Sequence, residues 1–211
     1  MKCEVCNSLN TSSFLDLGKQ PLLDDLIKIN SKRSCKKYSS KVYFCNICNT
    51  ALHKTKIKPS ILFPKNYHYR AKFTKDVIEG MKDLVLSIKK FTKKKKLKVL
   101  DIGCNDGSLL DIFYKNKYIT YGIEPTDAAK EVKKKHKIIN NFFNKKTAKY
   151  FLNKNSYPDI ITFTNVFAHI NNLRELIKNL KVITNKNTLI VIENHYLGSI
   201  LKKRQFDTFY H

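Results

Sequence analysis

Apolar positions fall into three regimes along this 211-residue chain. Up to about residue 60 they come in short runs broken by polar turns, which predicts short strands and no long helix. From about Thr74 to Phe91 the period becomes helical, with Phe73, Val77, Met81, Leu84 and Ile88 on one face. From Lys98 onward, strand-length apolar runs alternate with helical stretches. Strands are predicted near 98–102, 119–124, 137–140, 159–164 and 188–193, and helices begin near Gly107, Thr126, Lys145, Asn172 and Tyr196. Strands joined through helices require right-handed crossovers and a mainly parallel sheet. The expected fold class is therefore α/β: a doubly wound, Rossmann-like sheet preceded by a small N-terminal domain. Residues 1–60, 61–96 and 97–211 are the expected small domain, the aromatic loop with its linking helix, and the sheet domain. The last strand, Thr188-Leu-Ile-Val-Ile-Glu193, is almost wholly apolar and belongs inside a sheet with both faces covered.

Cysteine spacing gives the small domain a chemistry. Cys3-x-x-Cys6 and Cys45-x-x-Cys48 each place two thiolates on one tight knuckle. Two knuckles complete a tetrahedral zinc site with no position left for water, so the metal would be structural. Asn7 and Asn49 follow the second cysteine of each pair, where a left-handed backbone is expected. Independent buried thiols are the alternative. Cys35 and Cys104 have no partner at ligand spacing and read as small apolar residues. No stretch approaches the roughly 20 apolar residues that span a bilayer, and no export signal opens the chain. The expected setting is the cytoplasm, with no membrane partner.

The formal charge is +24. Lysines account for most of it and arginine is scarce, which suits solvated faces better than base reading, because only guanidinium makes rigid bidentate contacts. The runs Lys93–Lys96 and Lys133–Lys135 carry no interleaved aromatics. Steering of a small anionic substrate is a second reading, and nucleic-acid docking a third, disfavoured one.

The chemistry of the large domain lies in Val99-Leu-Asp-Ile-Gly-Cys-Asn-Asp-Gly-Ser-Leu-Leu110, answered by Tyr121-Gly-Ile-Glu-Pro125. A strand runs into a glycine-bearing turn and then a helix, and a carboxylate ends the next strand. That arrangement builds a nucleoside site in a doubly wound sheet. Gly103 and Gly107 permit the tight turn, and Glu124 can accept hydrogen bonds from both ribose hydroxyls. The spacing Asp101-x-Gly103-x-x-x-Gly107 is not the dinucleotide fingerprint. It is similar to motif I of the S-adenosylmethionine-dependent methyltransferases.

Over nearly the whole chain the motifs resemble the sugar C-methyltransferases, which methylate a ring carbon of a nucleotide-linked keto-sugar. The resemblance takes in both cysteine pairs, Leu15-Asp-Leu-Gly-Lys-Gln-Pro21 and Phe63-Pro-Lys-Asn-Tyr-His-Tyr69. It continues through the motif I loop, Gly122-Ile-Glu-Pro125, Asn165-Val-Phe-Ala-His-Ile170 and Phe206-Asp-Thr-Phe-Tyr-His211. It implies S-adenosylmethionine and structural zinc as cofactors, and a nucleotide-sugar substrate deprotonated beside its ketone. Cofactor binding is expected from Asp101 at the methionine ammonium, from Gly103, Asn105 and Asp106 around the loop, and from Glu124 on the ribose. Phe143, or its neighbour Phe142, is expected on adenine, and the Asn165 backbone at the amino-acid end. His169, Tyr67, Tyr69 and Tyr210 are the expected catalytic side chains, and Cys3, Cys6, Cys45 and Cys48 the metal ligands.

Two departures shape the expectation. Family members are about twice as long and carry a further C-terminal α/β domain. Their segment near this terminus continues past Tyr-His into Glu-His, which supplies the proposed base. The usual fold also covers its last parallel strand with an antiparallel pair. The chain is thus expected to represent the first half of such an enzyme, with little turnover in isolation and a companion chain as one source of the rest. The competing functions are an RNA methyltransferase and a non-catalytic zinc-bearing scaffold. Base amino-methylation commonly uses Asn/Asp-Pro-Pro-aromatic after the fourth strand, where this chain has Asn165-Val-Phe-Ala.

Overall fold

The computed structural model describes the chain apart from Leu23 and residues 93–95 and 206–211. The described residues form two compact units. The first comprises Met1–Leu62, His169–Arg174 and the residues from His195 onward; the second comprises Phe63–Ala168 and Glu175–Asn194.

In the first unit, β1 (Thr11–Pro21), β2 (Lys37–Cys45) and β3 (Ala51–His53) form an antiparallel sheet in that order. A short α1 (Pro59–Leu62) follows. At 11 residues β1 exceeds the short strands its sequence predicts. Its register shifts between Ser13 and Leu15 and again between Asp16 and Lys19. Each irregularity resets the alternation of faces, so the two-residue period is lost from the sequence. Most of β1 is exposed; Cys3, Cys45 and Leu52 form one small buried cluster with Cys48 packed against them, and Val42, Ile57, Leu62 and Ile200 are also buried in this unit.

The second unit begins with an aromatic loop and α2 (Lys75–Phe91), which buries Met81, Val85 and Ile88. Phe73, expected on that face, instead lies in the single turn Ala71–Phe73 and is 79% exposed. Extended backbone at Thr74 breaks the helical phase between Phe73 and Val77. There follow β4 (Lys98–Ile102), α3 (Ser108–Lys115), β5 (Ile119–Ile123), β6 (Lys137–Ile139) and α4 (Lys145–Lys154). Then come β7 (Ile160–Thr164), α5 (Leu173–Ile183) and β8 (Leu189–Glu193). The five strands are parallel in the order β6-β5-β4-β7-β8. Central strands β4 and β7 are buried almost throughout, as strands covered on both faces must be. One side of the core joins Met81, Val85 and Ile88 of α2 to Val99, Leu109, Phe113 and Ile160. The chain's last described helix, α6 (Leu197–Lys203), belongs to the first unit.

Helix starts follow the sequence where side chains cap them. Asn144 accepts from the backbone N–H groups of Lys146 and Thr147, and the Thr147 hydroxyl accepts from Asn144 N–H, so α4 begins at Lys145. The helix expected at Thr126 is only a single turn, Asp127–Glu131. Val132 leaves it to cover Gly107, and Lys133 and Lys135 reach Asp111 of α3. Tertiary ion pairing here overrides helical propensity, and two of the three lysines in that run are paired rather than merely solvated. Their pull, with that of His136, holds the Asp111 carboxyl well below the usual range despite burial. Strand β8 also departs from expectation. It is one of the two edge strands of the five-stranded sheet among the described residues, with β6 the other, and Ile190 and Ile192 are exposed. No helix among the described residues is long and apolar enough to cross a membrane.

Candidate functional site

The two cysteine knuckles are built alike. Cys3 N–H donates to Ser8 O and Asn7 N–H to Cys3 O; Cys45 N–H donates to Thr50 O and Asn49 N–H to Cys45 O. Asn7 and Asn49 adopt φ of 64° and 56°, the left-handed turn that directs each pair of thiols to one point. The four sulfurs lie within 4.8 Å of one another, with Cys3–Cys48 at 3.6 Å and Cys6–Cys45 at 3.5 Å. Tetrahedral Zn–S bonds of about 2.3 Å put neighbouring sulfurs roughly 3.8 Å apart, so the donor set fits zinc with small adjustment. Backbone N–H groups of Cys48 and Ile47 lower the Cys45 thiol to about 6, while at Cys6, against a backbone hydrogen bond from Ser8, burial and the neighbouring sulfurs raise the thiol.

In the second unit, the loop after β4 closes over the carboxyl edge of the sheet. Gly103 and Gly107 have φ of 77° and 78°. A Cβ on Gly103 would lie 2.4 Å from Val166 Cγ2, and one on Gly107 would lie 2.8 Å from Val132 Cγ1. Close packing of the neighbouring loops, as well as turn geometry, therefore requires glycine at both. Three carboxyls are buried around this loop: Asp101, Asp106 and Glu124.

Glu124 is the best partnered of them. Its Oε2 accepts from Asn105 N–H at 2.9 Å, and its Oε1 accepts from Thr126 N–H at 2.9 Å and the Thr126 hydroxyl at 2.6 Å. Asp101 is 1% exposed and accepts from the Thr162 hydroxyl at 2.7 Å. Burial, with the Glu124 charge adding to it and the Thr162 bond opposing, pushes Asp101 up to about 7 from the usual 3.8. The folded chain therefore holds a proton that the unfolded chain releases between about pH 4 and pH 7. This stabilises the fold below about pH 4, and the contribution is lost as pH rises to 7. An Asp101→Asn variant keeps the Thr162 bond and cannot ionise. Its melting temperature, measured without ligand, is expected to gain steadily on the parent's from about pH 4 to pH 8. A constant offset would show that Asp101 ionises normally.

The side chains of Asn105 and Asp106, expected around a cofactor, serve the aromatic loop. Asn105 Oδ1 accepts from Ala71 N–H, and its Nδ2 donates to Tyr69 O. Asp106 Oδ1 accepts from Ser108 N–H and hydroxyl at the start of α3, and its Oδ2 accepts from Lys72 N–H. Tyr67 packs edge-on against Phe63, with ring centroids 5.5 Å apart. Tyr69 is 39% exposed, and partial burial, with the charges of Asp106 and Glu193 adding to it and a hydrogen bond with Thr74 opposing, raises its phenol above the usual value. Asn165 has φ of 54°, and its N–H donates to Glu193 O. Phe143 is half-buried after β6. His169 closes the turn Phe167–His169 after β7 and is grouped with the first unit. Tyr210 lies outside the described residues.

Two residues escaped the sequence reading. Thr162 restrains Asp101 across neighbouring strands and is recognisable only once β4 pairs with β7. Glu193 ends β8, accepts from Asn165 Nδ2 and bears on Tyr69. Its signal was present, because a carboxylate at the carboxyl end of a parallel strand is the position Glu124 occupies.

A parallel sheet with a glycine loop and buried acids at its carboxyl edge, joined to a four-thiolate cluster, defines a Rossmann-like methyltransferase domain with a zinc-binding domain. Residues 73–210 match the family model described as "Methyltransferase domain", and residues 3–63 match one described as "Putative zinc binding domain". The first covers more than half of the chain, which belongs to that methyltransferase family; the cofactors of this architecture are S-adenosylmethionine and zinc. Among curated proteins it is similar to C-methyltransferase NovU of Streptomyces niveus, 23% identical over 100% of this chain and 51% of that protein. The chain thus spans about half the length of the curated relative it matches. Among solved structures it is similar to the PH0226 protein of Pyrococcus horikoshii OT3, with TM-score 0.50, 14% identity and 70% of each chain covered. The plantazolicin methyltransferase BpumL, solved with SAH, gives TM-score 0.48 and 21% identity, covering 60% of this chain and 49% of that one.

Proposed function

We propose that this chain carries the cofactor half of an S-adenosylmethionine-dependent C-methyltransferase acting on a nucleotide-linked keto-sugar. The observation that carries the reading is electrostatic. In a chain of formal charge +24, Asp101, Asp106 and Glu124 are buried together where doubly wound sheets bind ligands. Buried acids concentrated against so basic a background favour a cationic ligand with hydroxyls to donate. When bound, the cofactor supplies a methyl group made electrophilic by its sulfonium charge.

Glu124 Oε2 has one protein donor, and a carboxylate oxygen accepts about two, so it can take a ribose hydroxyl without losing Asn105. Asp101 lies too deep for direct contact and would act on the ammonium through water, ionising as that charge arrives. With the Asn165 N–H committed to Glu193, its carbonyl is the group left for the amino-acid end. Phe143 is the proposed adenine contact. On the substrate side Tyr69, kept protonated by its raised value, serves as a donor to a sugar oxygen or developing enolate rather than as a base. Tyr67 walls the same loop. His169 and Tyr210 are the proposed proton-transfer groups, on the strength of the family resemblance alone. The similarity to C-methyltransferase NovU supports carbon as the acceptor.

Calorimetry with S-adenosylhomocysteine tests the reading. Binding with one site per chain is expected, and no heat from well-folded protein would overturn it. Salt-dependent RNA binding in place of cofactor binding would favour the scaffold instead.

A further inference from the structure

We infer that Asn105 and Glu131 are positioning residues that tie the ribose-binding carboxylate to the tyrosine loop, so that cofactor binding and ordering of Tyr67–Phe73 are coupled. The inference rests on Glu124 being the cofactor carboxylate. Each of its oxygens starts one strap, and both straps end on the same loop. From Oε2 the path runs through Asn105 N–H at 2.9 Å, then through the Asn105 side chain to Ala71 N–H and Tyr69 O, both at 3.1 Å. From Oε1 it runs through Thr126, which caps the turn Asp127–Glu131, and on to Glu131. Glu131 then accepts from Arg70 Nε at 2.6 Å and Lys72 Nζ at 2.7 Å. Asp127 N–H adds a bond to Lys65 O at 2.7 Å.

The loop is also tied within itself. Arg70 is its internal knot, since Nη1 donates to both Tyr67 O and Tyr69 O while Nε reaches Glu131. A planar guanidinium used in this way links the loop carbonyls rigidly to its carboxylate partner. Asn105 also sits at φ of 49°, a left-handed conformation that glycine would adopt with less strain. Its side chain, not backbone need, accounts for asparagine there. A ligand drawing on Glu124 therefore acts on both anchors of the loop that carries Tyr67 and Tyr69. By linkage, a group held by those tyrosines tightens the cofactor in return.

Amide hydrogen exchange on the whole chain reads this directly, because Ala71 and Lys72 N–H donate to Asn105 and Asp106. Saturating S-adenosylhomocysteine is expected to slow exchange at Ala71 and Lys72 about tenfold in the parent. In Asn105→Gly and in Glu131→Gln the slowing should fall below about twofold. Glycine suits the backbone at position 105, so an unchanged melting temperature separates decoupling from misfolding. Loss of the effect in either variant supports the coupling and identifies the strap that carries it. Calorimetric binding without slower exchange in the parent, or slowing retained in both variants, overturns the coupling alone. Absence of any binding heat overturns the cofactor reading and the coupling with it.

Discussion

Removing the zinc is expected to unfold the three-stranded sheet of the first unit. The core there is too small to hold an 11-residue, largely exposed β1 against chain entropy. In the cluster at the cysteines, two of the three buried residues, Cys3 and Cys45, are themselves proposed ligands, so without metal the site leaves sulfurs crowded at 3.5–3.6 Å. Structural zinc contributes on the order of 10 kcal/mol, comparable to the whole stability of a small domain. Metal analysis should give one zinc per chain. Chelation, or Cys3→Ser combined with Cys48→Ser, should abolish exchange protection along β2 and β3. Full protection in metal-free protein, or full zinc occupancy in the double variant, would refute the cluster.

Glu124→Gln is expected to cost about 100-fold in S-adenosylhomocysteine affinity, since hydrogen bonds to a charged acceptor contribute about 1.5–3 kcal/mol each. The substitution is nearly isosteric, yet it cannot restore the site. Asn105 N–H donates to one oxygen and Thr126 N–H and hydroxyl to the other, so either orientation of the amide sets NH2 against a donor. The variant should therefore also lose about 1–3 kcal/mol of stability, the cost of an unsatisfied buried group. Titration calorimetry and denaturant unfolding read the two effects separately. Parent-like affinity in the folded variant would remove Glu124 from the site.

Most of the strand and helix order of the second unit could be read from hydrophobic period because its central strands are buried on both faces and its helices on one. β4 and β7 stand out as mostly apolar runs, and the start of α4 is marked by its asparagine cap. The antiparallel sheet of the first unit was less legible, since bulges in β1 erase the alternation that marks a strand. The turn at Asp127–Glu131 was misread for a different reason. Its helix-forming residues are outbid by partners distant in sequence, Val132 meeting Gly107 and two lysines meeting Asp111.

The site divides along the same line. Sequence by itself determined the features that depend on a residue and its near neighbours. These are the left-handed asparagines after each cysteine pair, the glycine turns of the loop after β4, and the acid that ends β5. Backbone conformation and strand-end position are local properties, and spacing encodes them. Only the tertiary structure decided what those residues are joined to. It brought Thr162 to Asp101, turned the side chains of Asn105 and Asp106 toward the tyrosine loop, placed Val166 and Val132 against the glycines, and set β8 at the sheet's edge. Each of these depends on which strands and loops become neighbours. That choice is made by burial of the whole core rather than by any short segment of the chain.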